Sequence, residues 1–513
     1  MQNSIAQIIT DAAQRYNDKT ALIISNQQFS YTHLDTLSNQ VANSLVAIGV
    51  SPGDRVTLYG ANAWEWVVSY YGVLKVGAVI NPINVMLTPE EVEYVVEDCG
   101  AKIIIASKEK GLPLLGLETR SSVEELILYG EDIPAGASSF EHFIEGASEG
   151  FISPLIDPDS LSTICYTSGT TGKPKGAMLS HKAVITNIMM ASLMHGRCEQ
   201  DVVVTALPCP HVYGKVIMST CFHNGGTLVM HALFDPEQIL ESMEKHQATI
   251  FDGVPTMYMF MLESPSIGER DFSSMRLCSV GGQSMPIAKM AQVEDRFQCP
   301  LIELWGMTEL AGLGATFAHN GDYRHGSIGV SIPYTQSKIM DTKDSAIEMP
   351  IGEAGELLIK GPIVMQGYFG NEEGTREVLS HDGWFRTGDV ATIDENGFIT
   401  IVDRIKDMIL TAGYNIYPAE IENVIASHPD VALVAVGSIP DEFKGELAKA
   451  YIILKQGTHP STEHIISFCR KHLAAYKVPR DVQFVDDLPK TSSGKIMRRE
   501  LIKLHTLQQN KNH

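Results

Sequence analysis

Short apolar runs alternate with longer amphipathic stretches along most of the chain. The runs Arg55–Tyr59, 102–106 and 249–251 have the length and composition of buried strands. The stretches between such runs have the length and periodicity of helices. This alternation predicts an α/β fold in which parallel and mixed sheets are covered by helices.

The pattern changes near residue 403. Residues 391–402 contain two apolar runs on either side of Glu395, Asn396 and Gly397, which is typical of a β-hairpin turn. The chain beyond has strand-like runs at 431–436 and 450–454, with helical stretches between them. We therefore expect a large domain over residues 1–403 and a small α+β domain over residues 404–513.

Composition and charge narrow the class of protein. With 513 residues and 44% hydrophobic content, the chain can bury a large core and form more than one domain. The formal net charge of −22 argues against a nucleic-acid partner and leaves any phosphorylated ligand to a dedicated local site.

The cysteines and the N-terminus indicate a cytoplasmic protein. None of the eight cysteines forms a CxxC pair or a metal-ligand spacing with histidine, as is typical of reduced thiols in a cytosolic enzyme. The N-terminus lacks a basic region followed by an apolar core, and no apolar run is long enough to cross a bilayer. The sequence leaves peripheral membrane contact and a homodimer open.

The first candidate for a ligand-binding segment is residues 166–181, which follow an apolar run that predicts a buried strand. Hydroxyl, glycine and lysine residues are concentrated there, and such a loop can present backbone N–H groups to phosphate oxygens. It is not a Walker A loop, because Thr167 stands where the first glycine should be and Pro174 follows Lys173. A flexible connection is the simpler alternative for the loop taken alone.

The full stretch closely resembles the phosphate loop of the adenylate-forming superfamily, which includes acyl-CoA synthetases, peptide-synthetase adenylation domains and beetle luciferases. Further motifs follow in the family's order, and the resemblance extends from about Phe29 to Arg499. It implies that the phosphates of ATP are bound by Thr167, Ser168, Gly169, Thr170, Thr171, Gly172, Lys173 and Lys175.

Two further segments resemble the acyl and adenine sites of this family. The segment 207–214 contains His211, which by resemblance borders the acyl pocket and shifts between the two half-reactions. Gly281, Gly282 and Gln283 resemble the adenine-binding turn, where adjacent glycines let a flat base approach the backbone. Alanine is commoner than Gln283 in the family.

Residues 304–309 resemble the family's signature strand and loop. The resemblance implies that Trp305, Gly306 and Met307 border the nucleotide, with Trp305 stacking on the base. It also implies that Thr308 bonds the α-phosphate and that Glu309 supplies an oxygen ligand for Mg²⁺. Tyrosine is commoner than Trp305 in the family, which makes the shape of the neighbouring acyl pocket harder to predict.

Residues 384–389 resemble the ribose segment, and residues 403–415 resemble the hinge. Asp389 is the predicted acceptor for the ribose hydroxyls, and Arg404 is the second ribose or phosphate contact. The small domain is expected to turn about Lys406. The backbone at Gly413 and Tyr414 is expected to line the pantetheine tunnel of coenzyme A after that turn.

The C-terminal motif at residues 489–499 resembles the segment that carries the adenylation lysine. Lys495 is therefore the predicted catalytic lysine of the small domain. We expect Lys490, Arg498 and Arg499 to be solvated charges, as in an ordinary basic helix face.

Together the motifs imply an ATP-dependent carboxylate–CoA ligase that uses Mg²⁺. Its substrates would be a small-molecule carboxylic acid, ATP and coenzyme A, joined through an acyl-adenylate. The alternatives are an aryl, cinnamate-type ligase, a stand-alone enzyme that loads a carrier protein, and a non-catalytic nucleotide sensor.

The acid is predicted from the segments 208–215, 251–261 and 305–314, which are mostly apolar or small and contain no arginine. They favour a medium- or long-chain fatty acid ahead of an aryl acid and disfavour a dicarboxylate. Met257, Met259 and Met261 suit a pliable pocket wall or an ordinary core. Lys215 is the exception: it could turn inward to hold a polar end of the substrate, but we expect it to be solvated or paired with a carboxylate.

Overall fold

The computed structural model describes residues 4–119, 121–135, 137–167, 174–411, 414–441, 443–491 and 496–504, without the side chains of Tyr414, Asn415 and Arg499. The described chain forms a large N-terminal α/β domain and a smaller C-terminal domain, as the sequence predicts. No helix in the described ranges is both long and apolar enough to span a membrane.

One sheet of the large domain is parallel at its centre and antiparallel at both edges. Its strands, in spatial order, are Val330–Ser331, Gly312–Thr316, Leu301–Met307, Leu277–Val280, Ile250–Gly253, Val202–Thr205, Thr227–Met230, Thr20–Ile24 and Gln27–Ser30. The central strands Ile250–Gly253 and Leu277–Val280 are buried throughout and mostly apolar, as is typical of parallel strands covered on both faces.

The second sheet of the large domain carries the predicted phosphate loop at one side. Its strands, in spatial order, are Gly367–Tyr368, Lys175–Ser180, Leu161–Thr167, Val79–Pro82, Arg55–Tyr59, Ala101–Ser107, Glu125–Tyr129 and Ser138–Ser139. The predicted strands at 55–59, 102–106 and 161–165 are all confirmed.

Helices cover these two sheets. In the large domain they are Gln7–Tyr16, Tyr31–Ala47, Trp64–Val76, Pro89–Cys99, Lys108–Gly111, Phe140–Ile144, His181–Met194, Val212–Asn224, Pro236–Lys245, Pro255–Leu262, Ile287–Phe297 and Glu372–Val378. Several begin at a side chain that accepts a hydrogen bond from the first turn, such as Ser30, Thr88, Ser180 and Asp235. A helix lies between most successive parallel strands, as right-handed crossovers require.

A third, antiparallel sheet leads to the domain boundary. It contains Gln336–Met340, Gly355–Lys360, Phe385–Ile393 and Ile399–Arg404. The last two strands form the predicted hairpin around the Glu395–Gly397 turn, with Ile393 paired to Ile399. Arg404 is the final residue of this sheet, and the first strand of the small domain begins at Ile409.

The small domain has its own core. Its sheet contains Tyr414–Ile416, Ile409–Thr411, Gly445–Leu454, Val431–Asp441 and Asp481–Phe484, and its helices are Pro418–Ala426 and Thr462–His472. The two predicted strand runs at 431–436 and 450–454 are confirmed and pair antiparallel to each other. Apolar residues such as Ile421, Val436 and Ile465 form a cluster separate from the core of the large domain.

Candidate active site

The two ends of the predicted phosphate loop are fixed by a β-hairpin. Thr167 ends one strand and Lys175 begins the next, and the two residues pair in antiparallel register. The other predicted loop residues lie outside the described residues: Ser168, Gly169, Thr170, Thr171, Gly172 and Lys173. The hairpin therefore fixes where the loop leaves and re-enters the sheet.

Glu309 is connected to Lys175 through a tyrosine that the sequence analysis missed. The Tyr368 hydroxyl donates to Glu309 Oε1 at 2.8 Å, and Lys175 Nζ lies 5.3 Å from the centre of the Tyr368 ring. Burial raises the pKa of Glu309, while the hydrogen bond from Tyr368 and the charge of Arg404 oppose that rise. A nearby cation would favour the ionised carboxylate further.

Asp389 holds together the predicted adenine and ribose residues. Trp305 Nε1 donates to Asp389 Oδ2 at 2.8 Å, and Arg404 Nε donates to Oδ1 at 2.8 Å. Asp389 is buried, and its charge is the largest cause that raises the pKa of Arg404. Because each carboxylate oxygen has a second lone pair, Asp389 keeps acceptor capacity for a ligand hydroxyl.

The glycines of the two nucleotide motifs lie where a side chain would not fit. A Cβ on Gly281 would lie 2.3 Å from Leu304 Cδ1, and one on Gly306 would lie 1.8 Å from the carbonyl oxygen of Gly312. Gly282 has a φ of +87°, a left-handed conformation that favours glycine. Met307 and Thr308 are both half-buried where the signature strand gives way to a short 3₁₀ turn.

Gln283 connects the adenine turn to the small domain. Its Oε1 accepts a hydrogen bond from the backbone N–H of Ile496 at 2.6 Å. Lys495 precedes Ile496 directly but lies outside the described residues, as do Gly413 and the side chain of Tyr414. The described end of the C-terminal motif thus contacts the adenine turn of the large domain.

His211 begins the helix that borders the predicted acyl segment. Its Nδ1 accepts from the backbone N–H of Tyr213 at 3.3 Å, and the residue is exposed. The Tyr213 hydroxyl points to the central sheet, 3.0 Å from Ser279 Oγ. Met257 and Met261 are buried in the large-domain core. Met259 instead lines a cavity between the two domains, together with Gln283 and Ile496.

Three charged residues, Lys215, Arg498 and Lys490, have partners that the expectation of solvated charge does not include. Lys215 is buried, with 7% of its surface exposed, and its Nζ lies 3.0 Å from Cys165 Sγ. Among the described residues no carboxylate lies within 4 Å of that nitrogen, so neither solvation nor an ion pair describes it. The helix Val212–Asn224 is buried from Val212 to Phe222, so most of the Lys215 side chain is shielded from solvent.

Arg498 is the second exception. It lies between three carboxylates, with Nη2 2.6 Å from Glu422, Nη1 3.4 Å from Asp407 and Nη1 3.7 Å from Asp403. Burial raises the pKa of Asp403 to about 6, and the charge of Arg498 opposes that rise. Lys490 also has a partner, because its ammonium pairs with Asp487. Lys406 is exposed on the 3₁₀ turn Ile405–Asp407.

Residues 9–369 match the AMP-binding enzyme family, and residues 420–495 match the AMP-binding enzyme C-terminal domain. The chain belongs to the AMP-binding enzyme family. This confirms the resemblance drawn from the motifs, and with it an enzyme of the adenylate-forming acyl-CoA ligase type.

Relatives of known activity match nearly the full chain. A long-chain-fatty-acid–CoA ligase of Bacillus subtilis (strain 168) is 33% identical over 98% of this chain and 95% of its own. A feruloyl-CoA synthase of Amycolatopsis sp is 34% identical over 94% of this chain and 95% of its own. The crystal structure of the anthranilate CoA ligase AuaEII in complex with anthranoyl-AMP has a TM-score of 0.93 at 28% identity, covering 99% of this chain and 100% of that chain.

The carboxylates of this AMP-binding enzyme fit the sparse ligand set that Mg²⁺ uses with nucleotides. Among the described residues no group of three or more histidine, cysteine or acidic side chains could hold a metal ion. Mg²⁺ at phosphoryl sites commonly takes one or two carboxylates, the phosphates and water. Glu309 Oε1 accepts from Tyr368, which leaves Oε2 for a bound cation, and that cation would offset the cost of burying the ionised carboxylate.

Proposed function

We propose that this protein is an ATP-dependent acyl-CoA ligase that forms an acyl-adenylate and then an acyl-CoA thioester, releasing pyrophosphate and AMP. The observation that carries the proposal is the bonded group of Trp305, Asp389 and Arg404 beside the Gly281–Gly282 turn. It joins an aromatic face, ribose acceptors and a cation, which together suit an adenylate.

In the first half-reaction the carboxylate of the acid attacks the α-phosphorus of ATP. Both reactants are anions, so the site must hold them together while negative charge builds on the phosphate. We assign this charge stabilisation to Lys495, Thr308 and Lys175, together with the backbone of the phosphate loop. Glu309 would hold Mg²⁺, which neutralises phosphate charge when bound.

In the second half-reaction the thiol of coenzyme A attacks the acyl-adenylate, and AMP leaves. A lysine beside the α-phosphate would obstruct the thiol, so we propose that the small domain turns about Lys406 and brings Gly413 and Tyr414 to the tunnel. His211, exposed at the start of its helix, would adjust to the changed occupant of the site. The domain limits that we propose are residues 1–403 and 404–513.

For the acid we propose a carboxylic acid with an apolar body, with medium- and long-chain fatty acids first. The apolar residues beside His211 and the fatty-acid ligase relative support this class. An aryl acid is the second candidate, because the feruloyl and anthranilate enzymes are similar to this chain over nearly its full length.

The test is an acid panel of octanoate, palmitate, cinnamate and ferulate, with ATP, Mg²⁺ and coenzyme A. We expect AMP, pyrophosphate and acyl-CoA to form in equal amounts, with kcat/KM rising up to about fourfold per buried methylene until the pocket is full. Pyrophosphate release without consumption of coenzyme A would instead indicate a carrier-protein loader. The proposal would be contradicted if none of these acids supported pyrophosphate release.

A further inference from the structure

Lys215 lines a small cavity beside the helix that follows His211. Val212, Lys215, Val216 and Ser219 occupy one face of the helix Val212–Asn224 and form one wall. The remaining lining residues are Tyr70, Thr163, Leu179, Val184, Ile188 and Ala311. The lysine therefore borders a small space whose lining is mostly apolar but includes the hydroxyl groups of Tyr70, Thr163 and Ser219.

The cavity adjoins both segments that we place around the reacting carboxylate. Val212 follows His211 in the chain, and Ala311 follows the Thr308–Leu310 turn. His211 and Lys215 are also joined by a backbone hydrogen bond at the start of the helix, and four residues correspond to about 6 Å along its axis. An acyl chain that extends from His211 into the protein would reach Lys215.

The hydrogen bonding of Lys215 is incomplete for a buried ammonium. An ammonium has three donors, whereas the described residues give Lys215 Nζ one weak acceptor, Cys165 Sγ at 3.0 Å. Lys75 is similarly buried and shows the hydrogen-bond acceptors that a structural lysine has around its ammonium group. Its Nζ contacts Asp35 Oδ1 at 2.6 Å, Ser38 Oγ at 2.8 Å and Asn39 Oδ1 at 2.6 Å.

A buried cation without a partner is strongly unfavourable, so the site favours a ligand that brings an acceptor oxygen. Resting on the proposed function, we propose that Lys215 selects acids whose apolar body carries a second acceptor group away from the reacting carboxylate. Two chemical classes supply that group, an oxo-acid and a dicarboxylic acid. This replaces the expectation that a second polar group is excluded from the pocket.

The experiment compares octanoate, 7-oxo-octanoate and octanedioate by kcat/KM for acyl-CoA formation in the parent and in Lys215→Met. In the parent we expect at least one of the two acceptor acids to exceed octanoate by about tenfold to a hundredfold, the range for a hydrogen bond to a charged group. Lys215→Met should abolish that preference and keep or raise activity on octanoate. The better of the two acceptor acids identifies the class.

Two control variants separate selection from a structural role. Lys182→Met makes the same chemical change at an exposed lysine that pairs with Asp159. It should leave the ratios of kcat/KM among the three acids unchanged. Cys165→Ala removes the present partner of Lys215 and should keep the preference for the acceptor acid. If octanoate is preferred by the parent, or if Lys215→Met leaves the ratios unchanged, the inference is wrong. If no acid is converted at all, the proposed function fails instead.

Discussion

The nucleotide edge of the large domain and the junction with the small domain are held in different ways. At the nucleotide edge, the buried Asp389 is bonded to Arg404 on the next strand of its own sheet and to Trp305 of the nine-stranded sheet. At the junction, Gln283 contacts Ile496 through a single hydrogen bond, and Lys490 Nζ lies 5.8 Å from the ring of Phe260. Apart from Arg404, the first residue of the proposed small domain, the first region is preorganised by the large domain, whereas the second depends on the position of the small domain.

This difference suits an enzyme that uses one adenylate site for two reactions. Residues of the nucleotide edge would hold the adenylate in both half-reactions, so they gain from rigid partners. Junction contacts must break when the small domain turns, so each must be weak enough to exchange. Variants of the two regions should therefore differ in which half-reaction they affect.

The largest expected effect is that of Lys495→Ala. Removing a cation that stabilises charge on the α-phosphate should lower acid-dependent pyrophosphate release by about two orders of magnitude or more. Conversion of supplied acyl-adenylate to acyl-CoA should remain. Lys503→Ala is the matched control, because that lysine is exposed in the same C-terminal segment and pairs with Glu500. Equal loss of both half-reactions would contradict the domain rotation.

Asp389→Asn should have the second-largest effect, and the effect should appear in both half-reactions. The change weakens the acceptor for the ribose and leaves the charge of Arg404 without its partner. We expect kcat/KM for ATP to fall about tenfold to a hundredfold, mainly through KM, and conversion of supplied acyl-adenylate to fall as well.

The control for this carboxylate is Asp394→Asn. Asp394 lies on the same hairpin and pairs with Arg324 at the surface, where an ion pair contributes little. It should leave both half-reactions near the parent values. A loss confined to adenylation in Asp389→Asn would remove the distinction between the two regions.

The sequence predicts much of the large domain because its elements are encoded locally. Apolar runs at 55–59 and 161–165 became buried strands, and the Glu395–Gly397 turn became a hairpin. The motif series also brought Trp305, Asp389 and Arg404 together as members of one site. Their mutual hydrogen bonds connect residues 84 and 15 positions apart, and no local pattern specifies those.

The failures concern charges whose surroundings come from distant segments. Arg498 lies in a segment whose basic composition is typical of a solvated tail, yet it pairs with Glu422 and Asp407 of the small domain. Lys215 is buried because its whole helix is covered, which a count of apolar neighbours in sequence does not reveal. Tyr368 reaches Glu309 across 59 positions and lies outside every motif that we used.

Gln283→Met is expected to give the smallest effect, and it tests the junction most directly. Methionine keeps the length of the side chain but lacks the oxygen that accepts from Ile496. A neutral hydrogen bond contributes about 0.5 to 1.5 kcal/mol, so the adenylation kcat should fall about twofold to tenfold. KM for ATP and the conversion of supplied acyl-adenylate should stay near the parent values.

Gln283→Glu distinguishes a domain contact from a direct role in binding adenine. The glutamate retains an acceptor oxygen for the Ile496 N–H, so the adenylation kcat should recover. If the contact positions the small domain, the recovery appears in kcat while KM for ATP does not change in either variant. A rise in KM for ATP in Gln283→Met, with both half-reactions slowed, would mean that Gln283 acts on the nucleotide and belongs with the rigid edge.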